Sequence, residues 1–153
     1  MQRRTFLKGT IAASATSVAV GAGLLTPSMV LADYPKAAFE AKDLDAAINA
    51  IAGGKPTESG DIKIKAPDIA ENGAVVPVTV STSMSGVNSI SILAPNNPVP
   101  LLANFNLGEG AEAYVSTRAK MGKTGDVIAV VKAGDKLASS KKEVKVTIGG
   151  CGG

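Results

Sequence analysis

Short runs in which apolar and polar residues alternate constrain the fold of this 153-residue chain more than any other feature. Val76, Val78 and Val80, for instance, alternate with proline, threonine and serine. A period of two directs one side of a strand toward a core and the other toward solvent. Seven strand-like runs occupy residues 61–66, 76–81, 89–94, 101–107, 112–120, 126–132 and 144–148. Turn-forming sequences separate the runs and no helical pattern intervenes. The chain is therefore predicted to be mainly β, an immunoglobulin-like antiparallel β-sandwich.

Two of these runs carry more specific expectations. Proline has no N–H to donate to a sheet, so the strand that contains Pro77 is expected at a sheet edge or at a bulge. In residues 101–107, the alternation predicts that the apolar residues at odd positions, from Leu101 to Leu107, share one face.

One helical pattern precedes the strands. From Leu44 to Ile51, apolar residues recur at i, i+3, i+4 and i+7, which places them on one face of a short N-terminal helix. Asp43 is a suitable N-cap, and Gly53 with Gly54 is expected to end the helix. The apolar face of this helix, or an open sheet edge, can either pack inside the chain or dock another subunit. The sequence leaves both possibilities open.

The N-terminus has the features of an export signal. Arg3 and Arg4 form a twin-arginine pair, although Gln2 stands where Ser or Thr is usual, and a mildly apolar stretch follows to Leu31. The Val-Leu-Ala sequence at positions 30–32 suits signal peptidase, and Ser and Gly residues dilute the apolar stretch. We therefore expect a twin-arginine signal peptide at residues 1–32 and a mature protein in the periplasm. A retained membrane anchor is the alternative.

Removal of the predicted signal changes the charge of the chain. The full sequence has 16 Lys+Arg and 13 Asp+Glu, a net charge of +3, but Arg3, Arg4 and Lys8 lie within the signal. Every acidic residue lies at position 33 or later, so the mature protein is predicted to be neutral. With no basic stripe and 3% aromatic residues, nucleic-acid binding is disfavoured.

The chain contains no histidine and a single cysteine, Cys151. This composition lacks the usual ligand sets for zinc, copper, haem and iron–sulfur clusters, so no cofactor is expected. The same absence removes a Ser–His or Cys–His nucleophilic pair. Because twin-arginine export carries folded proteins, a bound partner subunit is then the better reason for export in the folded state.

The single cysteine lies in a glycine-rich C-terminal segment. Its residues are Gly149, Gly150, Cys151, Gly152 and Gly153. Glycine has no Cβ and adopts both signs of φ, so this segment has little preferred structure of its own. Residues 149–153 are predicted to be a flexible arm that follows a domain at residues 33–148. The arm would hold the thiol up to about 10 Å beyond Ile148. A frayed end with an incidental cysteine is the alternative.

Four stretches of the sequence together resemble one known family. They are residues 71–78 (ENGAVVPV), 97–105 (NPVPLLANF), 118–122 (RAKMG) and 146–153 (VTIGGCGG). In these stretches, and in its export signal, the chain is similar to SoxY, the thiol-bearing subunit of the periplasmic SoxYZ sulfur carrier. The similarity extends over the whole mature chain, and the terminal GGCGG motif is its most specific part.

This resemblance implies a function and a set of partners. It implies a sulfur carrier, not an enzyme, that pairs with a SoxZ-like subunit and makes no membrane contact after signal cleavage. Thiosulfate would be joined oxidatively to Cys151 by the cytochrome SoxAX. SoxB would then hydrolyse off sulfate, and sulfane-oxidising Sox proteins would act on the remaining sulfur. No basic residue adjoins Cys151 to favour its thiolate, so those enzymes are expected to activate it.

Two other functions remain open at this point. Ubiquitin-like sulfur carriers also end in Gly-Gly, but their sulfur is carried on the terminal carboxylate, here that of Gly153, and they act beside cytoplasmic ATP. The second is an exported structural module that dimerises through Cys151, because an odd cysteine in an exported protein often pairs between chains. The position of a sulfur adduct would test the first function, and a non-reducing gel would test the second.

Overall fold

Two β-sheets packed face to face form the body of the protein. The computed structural model describes residues 34–147, and those from Pro35 onward belong to one compact unit. The predicted signal peptide at residues 1–32 and the predicted arm at residues 149–153 lie outside the described residues. The mainly β sandwich expected from the sequence is confirmed.

Residues 34–147 contain two helices followed by nine strands. The helices are α1 (Lys36–Glu40) and α2 (Leu44–Ala52). The strands are β1 (Thr57–Glu58), β2 (Ile62–Lys65), β3 (Ile69–Ala70), β4 (Val76–Thr82), β5 (Val87–Leu93), β6 (Leu101–Asn106), β7 (Tyr114–Ala119), β8 (Gly125–Ala133) and β9 (Lys136–Val146).

The strands form a larger and a smaller sheet. The larger sheet has the order β1-β9-β8-β5-β6, with β3 also paired to β9, and the smaller sheet has the order β2-β4-β7. The long strands pair antiparallel, as the sequence predicted. β1 and β3, of two residues each, run parallel to β9 and were not predicted.

The first core cluster fills the space between the two sheets. Val76, Val78 and Val80 are fully buried there, as the alternation along β4 predicted. The larger sheet contributes Ile90, Ile92, Val127, Val131 and Val144. Burial of each such aliphatic side chain stabilises the fold by about 1.5–3 kcal/mol relative to exposure. The sandwich depends on this core because a single cysteine permits no intrachain disulfide.

A second core cluster lies on the other face of the larger sheet, under the helices. Its buried members are Leu93, Leu101 and Val130 of the sheet and Ala38, Ala47 and Ile48 of the helices. β5 and β8 therefore contribute buried residues to both clusters, and the described fold has three layers. The apolar face of α2 packs inside the chain, which is the first of the two possibilities that the sequence left open.

Both ends of α2 are capped as predicted. The Asp43 side chain accepts a hydrogen bond of 2.8 Å from the backbone N–H of Ala46, which would otherwise lack a partner in the first turn. At the other end, Gly53 adopts φ = 74° and its N–H donates to the carbonyl of Asn49 at 2.9 Å. That left-handed conformation favours glycine and ends the helix.

Strand β6 departs from the predicted alternation near its start. Its pairing with β5 shifts register between Leu101 and Ala103, which makes Leu102 an extra residue. After a bulge of this kind, the residues of the strand point to the opposite face of the sheet from the one that simple alternation predicts. Leu101 therefore packs under the helices, while Phe105 contacts the core between the sheets. The prediction that the odd-numbered apolar residues share one face was wrong for Leu101.

Pro77 lies in a central strand, so the prediction of an edge strand or a bulge was wrong. The proline is the second residue of β4 and lies opposite Arg118 of β7. On the other side, β2 pairs with β4 only from Thr79 to Thr82. Within the described residues, Pro77 thus has a strand neighbour on one side alone, and its missing N–H is tolerated there.

Strand β9 begins at Lys136, well before the run predicted at residues 144–148. It pairs with β8 along nearly its whole length. Polar residues at positions 139–142 hide the apolar alternation in this part of the strand. The last described residue after β9 is Thr147, two residues before the start of the predicted arm at Gly149.

Candidate functional site

The five residues predicted to form the functional site lie outside the described residues. They are Cys151 and the glycines Gly149, Gly150, Gly152 and Gly153. The structure does describe the part of the fold to which they are attached. Cys151 is the fourth residue after Thr147, so its Cα atom lies at most about 14 Å from that of Thr147.

The end of β9 is held on one side by β3. Ala70 is the register partner of Val146, and the Thr147 N–H donates to the Ala70 carbonyl at 3.1 Å. One step earlier, the Lys145 N–H donates to the Asp68 carbonyl at 2.9 Å. These backbone bonds continue the sheet up to Thr147. Ile148 follows, and the predicted arm begins at Gly149.

Lys142 links the same two segments through its side chain. Its ammonium group donates to the Ala66 carbonyl at 2.7 Å and lies 3.1 Å from an Asp68 carboxylate oxygen. The Lys142 side chain is partly buried, whereas that of Asp68 is exposed. Because water screens the exposed carboxylate, the ion pair contributes little to stability. The hydrogen bond to the Ala66 carbonyl is therefore the stronger link between the two segments.

Thr124 holds β9 from the other side. Its hydroxyl oxygen accepts a hydrogen bond of 2.9 Å from the Val146 N–H and lies 3.4 Å from the Val146 carbonyl oxygen, to which it can donate. One side chain thus satisfies both backbone groups of Val146, immediately after β9 pairs with the start of β8.

Gly73 lies where there is no room for a side chain. A Cβ at this position would lie 2.7 Å from Val146 Cγ1 and would also collide with the Met121 carbonyl oxygen. The Met121 N–H donates to the Gly73 carbonyl at 2.7 Å, which fixes this close approach. The segment before β4 is therefore packed directly against the end of β9.

Two asparagines attach a third loop to this region. The Asn97 side chain donates to the Lys120 carbonyl at 2.7 Å and accepts from the Gly122 N–H at 3.0 Å, so it spans the residues on either side of Met121. The Asn96 side chain donates to the Thr124 carbonyl at 2.7 Å. All three bonds are made by the turn between β5 and β6.

These contacts define one region, which we call the tail root. It consists of residues 68–73, 96–97, 120–124 and 145–147. Parts of all four stretches that carried the resemblance meet here, although no sequence pattern indicated that they would lie together. Thr124, Asn96 and the Lys142–Ala66 contact were missed by sequence analysis. The only signal for Thr124 and Asn96 was their place in turn-forming sequences, and the Lys142–Ala66 contact had none.

Other features of the described residues do not form a competing site near the tail root. An open depression of about 1110 Å³ lies among the turns at the opposite end of the sandwich, lined by residues that include Lys55, Asp61 and Lys136. Within residues 34–147, no group of three or more His, Cys, Asp or Glu is placed to hold a metal ion. No helix in that range is long and apolar enough to cross a membrane.

Comparison with known proteins identifies the family. The model of the family described as sulfur oxidation protein SoxY matches residues 48–151, and its last matched residue is Cys151. The solved structure of the sulfur carrier protein SoxY from Chlorobium limicola f thiosulfatophilum is 50% identical, with a TM-score of 0.63, over 69% of this chain and 97% of that one.

A second solved structure extends the likeness in fold. The superoxide reductase (neelaredoxin) from Ignicoccus hospitalis is 25% identical, with a TM-score of 0.51, over 67% of this chain and 91% of that one. No curated protein matches the chain by sequence. The SoxY family model matches most of the chain, and a solved SoxY structure is 50% identical to it in sequence. Together these two findings establish the family. This chain belongs to the SoxY family of sulfur carrier proteins.

Proposed function

We propose that this protein carries sulfur intermediates covalently on Cys151 during the oxidation of thiosulfate. The observation that carries the proposal is that the SoxY family match ends at the only cysteine of the chain. A carrier needs one chemically distinct attachment point. Since no second thiol competes for the substrate, Cys151 meets this requirement.

The proposed chemistry uses the thiolate as the attacking group. In the loading step, the thiolate and thiosulfate form a sulfur–sulfur bond and release two electrons, giving R–S–S–SO₃⁻. A cytochrome partner such as SoxAX accepts those electrons. Water then cleaves the terminal S–S bond with the help of SoxB, giving sulfate, two protons and the persulfide R–S–S⁻. The carrier contributes the attachment point, and its partners contribute the catalysis.

The described fold suits this division of labour. Within residues 34–147, the members of both core clusters precede Thr147, and the tail root holds the chain up to that residue. The proposed arm is then free to enter a partner without disturbing the core. Four glycines around the thiol keep the arm narrow, at a cost of about 1–2 kcal/mol of backbone entropy for each residue that the partner orders. That cost favours transient visits.

The proposal includes a partner subunit and a location. A SoxZ-like subunit would form a heterodimer with this chain, and the pair would be exported folded by the twin-arginine pathway to the periplasm. Replacement of Arg3 and Arg4 by Lys should leave the precursor in the cytoplasm. N-terminal sequencing of the exported protein should give Asp33. An exported protein that still begins with Met1 would refute the predicted cleavage.

Intact-mass measurement tests the attachment directly. Protein purified with its partner subunit is incubated with thiosulfate and the loading cytochrome, with Cys151→Ser as the matched variant. We expect one thiosulfonate group on the native chain, mapped by fragmentation to Cys151, and no adduct on the serine variant. An adduct on Gly153, or equal loading of both proteins, would rule the proposal out. A disulfide dimer with no adduct would favour the structural module.

A second variant separates access from chemistry. Gly150 and Gly152 are both replaced by Val, whose branched side chain widens the arm and restricts its backbone. A small thiol reagent should still modify Cys151 at the native rate, whereas loading by the cytochrome should slow. Native loading rates for this variant would show that the glycines are not needed for entry.

A further inference from the structure

Three exposed apolar side chains lie in the tail root or close to it along the chain. Ile69, Val75 and Val99 are 58%, 47% and 37% exposed, and they are three of the five large hydrophobic side chains that the described residues expose. Single exposed apolar residues are ordinary on a protein surface, whereas a group of them at one place marks an interaction site. Their location therefore decides what they can do.

Each of the three lies in the tail root or two residues from it along the chain. Ile69 is the register partner of Lys145 and precedes Ala70, which bonds Thr147. Val75 follows Gly73 by two residues. Val99 follows Asn97 by two residues, so both lie within about 7 Å along the chain of residues in the tail root.

The length of the arm decides what approaches this region. Cys151 lies at most about 14 Å from Thr147, and active sites for small substrates are concave. An enzyme that takes the thiol into such a site uses most of those four residues to span the entrance. The rim of its entrance must then come against the tail root.

We propose that Ile69, Val75 and Val99 form an apolar docking rim for the enzymes that act on Cys151. This inference rests on the proposed carrier function. The partner it fits is an enzyme whose active-site entrance is bordered by apolar side chains. A stable protein–protein interface buries about 1,200–2,000 Å² of total surface, and three side chains bury far less. A small contact suits a carrier that must dissociate from each enzyme.

The test replaces the apolar surface with polar side chains of similar or smaller size. The triple variant Ile69→Thr, Val75→Thr and Val99→Thr retains β-branching and adds no charge. Tyr114→Thr is the matched control, because Tyr114 is also 51% exposed but lies at the end of β7 remote from Ala119 and the tail root. Far-UV circular dichroism and thermal melts check that both variants fold.

The readout is steady-state loading of thiosulfate by the cytochrome. We expect the triple variant to raise KM about tenfold with kcat nearly unchanged, because the interactions lost act in binding and not in chemistry. The Tyr114 control should keep the native KM. A maleimide should modify Cys151 at the same rate in all proteins, since the arm itself is unaltered.

A free peptide supplies an independent measurement. The peptide of residues 148–153 carries the arm without the rim, so its kcat/KM should fall well below that of the whole protein. Equal loading of peptide and protein, or an unchanged KM in the triple variant, would overturn the docking rim while leaving Cys151 as the carrier. If the native protein itself receives no adduct, the proposed function fails and the docking rim fails with it.

Discussion

Gly73 occupies the closest approach between the segment before β4 and the end of β9. Replacement by Ala puts a methyl group against the Met121 carbonyl oxygen and 2.7 Å from Val146 Cγ1. Neither neighbour is the free end of a flexible side chain, so the backbone must shift. We expect Gly73→Ala to lower the free energy of unfolding by about 1–3 kcal/mol, measured in urea.

Gly60→Ala is the control for this prediction. A Cβ at Gly60 meets no atom within 4 Å, so this variant should retain the native stability or slightly exceed it. Equal effects of the two substitutions would contradict the tight packing at Gly73. A loss confined to Gly73 would show that the tail root depends on this one small residue.

The Asn97 side chain contributes two bonds to the tail root. It donates to the Lys120 carbonyl and accepts from the Gly122 N–H. Asn97→Ala removes both bonds and should cost about 1–3 kcal/mol in urea denaturation. Asn97→Asp keeps the acceptor but places a carboxylate beside the Lys120 carbonyl, so it should not restore the native stability. Full restoration by Asp would show that the bond to Lys120 contributes nothing.

At the scale of elements, the last residues of β9 depend on a side chain from the loop before β8. Thr124→Val keeps the volume of the side chain but removes the hydroxyl that bonds both backbone groups of Val146. We expect hydrogen exchange at the Val146 amide to accelerate about fivefold, and global stability to fall by about 1 kcal/mol.

Thr79→Val is the matched substitution elsewhere in the sandwich. The Thr79 hydroxyl bonds the Ser116 hydroxyl at 3.0 Å on the outer face of the smaller sheet, away from β9. Its loss should leave exchange at Val146 unchanged. Accelerated exchange at Val146 in both variants would mean that the end of β9 opens only by global unfolding, and that Thr124 has no local role.

The elements were predictable where the sequence pattern is local. β4 and α2 were found because valines at every second position, and apolar residues at helical spacing, each report one buried face. The start of β9 was missed because its polar residues at 139–142 carry no such pattern. The bulge at Leu102 was missed because one extra residue changes the face without changing the composition of the strand.

The same distinction applies to the candidate site. Cys151 and its glycines form a local pattern, so the sequence alone predicts an arm. The tail root requires bonds between distant segments, such as Asn97 with Lys120 and Asn96 with Thr124. Turn residues of these types occur in many loops, and only the folded chain determines which carbonyls they meet.

At the scale of the whole molecule, the described fold combines a core that gives stability with a last strand, β9, that leads toward the predicted arm. Residues of both core clusters lie between Ala38 and Val146. These described core residues all precede the predicted arm. The stability of the protein and its capacity to carry sulfur should therefore be separable by truncation.

Two truncations test this separation. Removal of residues 149–153 leaves every contact of the tail root in place, so the free energy of unfolding should change by no more than about 0.5 kcal/mol. Loading with thiosulfate should disappear, because Cys151 is gone. Removal of residues 146–153 also deletes the bonds to Thr124 and Ala70 and the packing of Val146 on the core.

The longer truncation should therefore lower the free energy of unfolding by about 2–4 kcal/mol, since it removes several backbone bonds and a partly buried valine. Urea denaturation of the native chain and both truncations, each with the same partner subunit present, gives the comparison. If the shorter truncation already destabilises the protein by that amount, residues 149–153 contribute to the folded state. The arm would then have to leave those contacts each time Cys151 enters an enzyme, and loading rates would depend on the strength of the contacts.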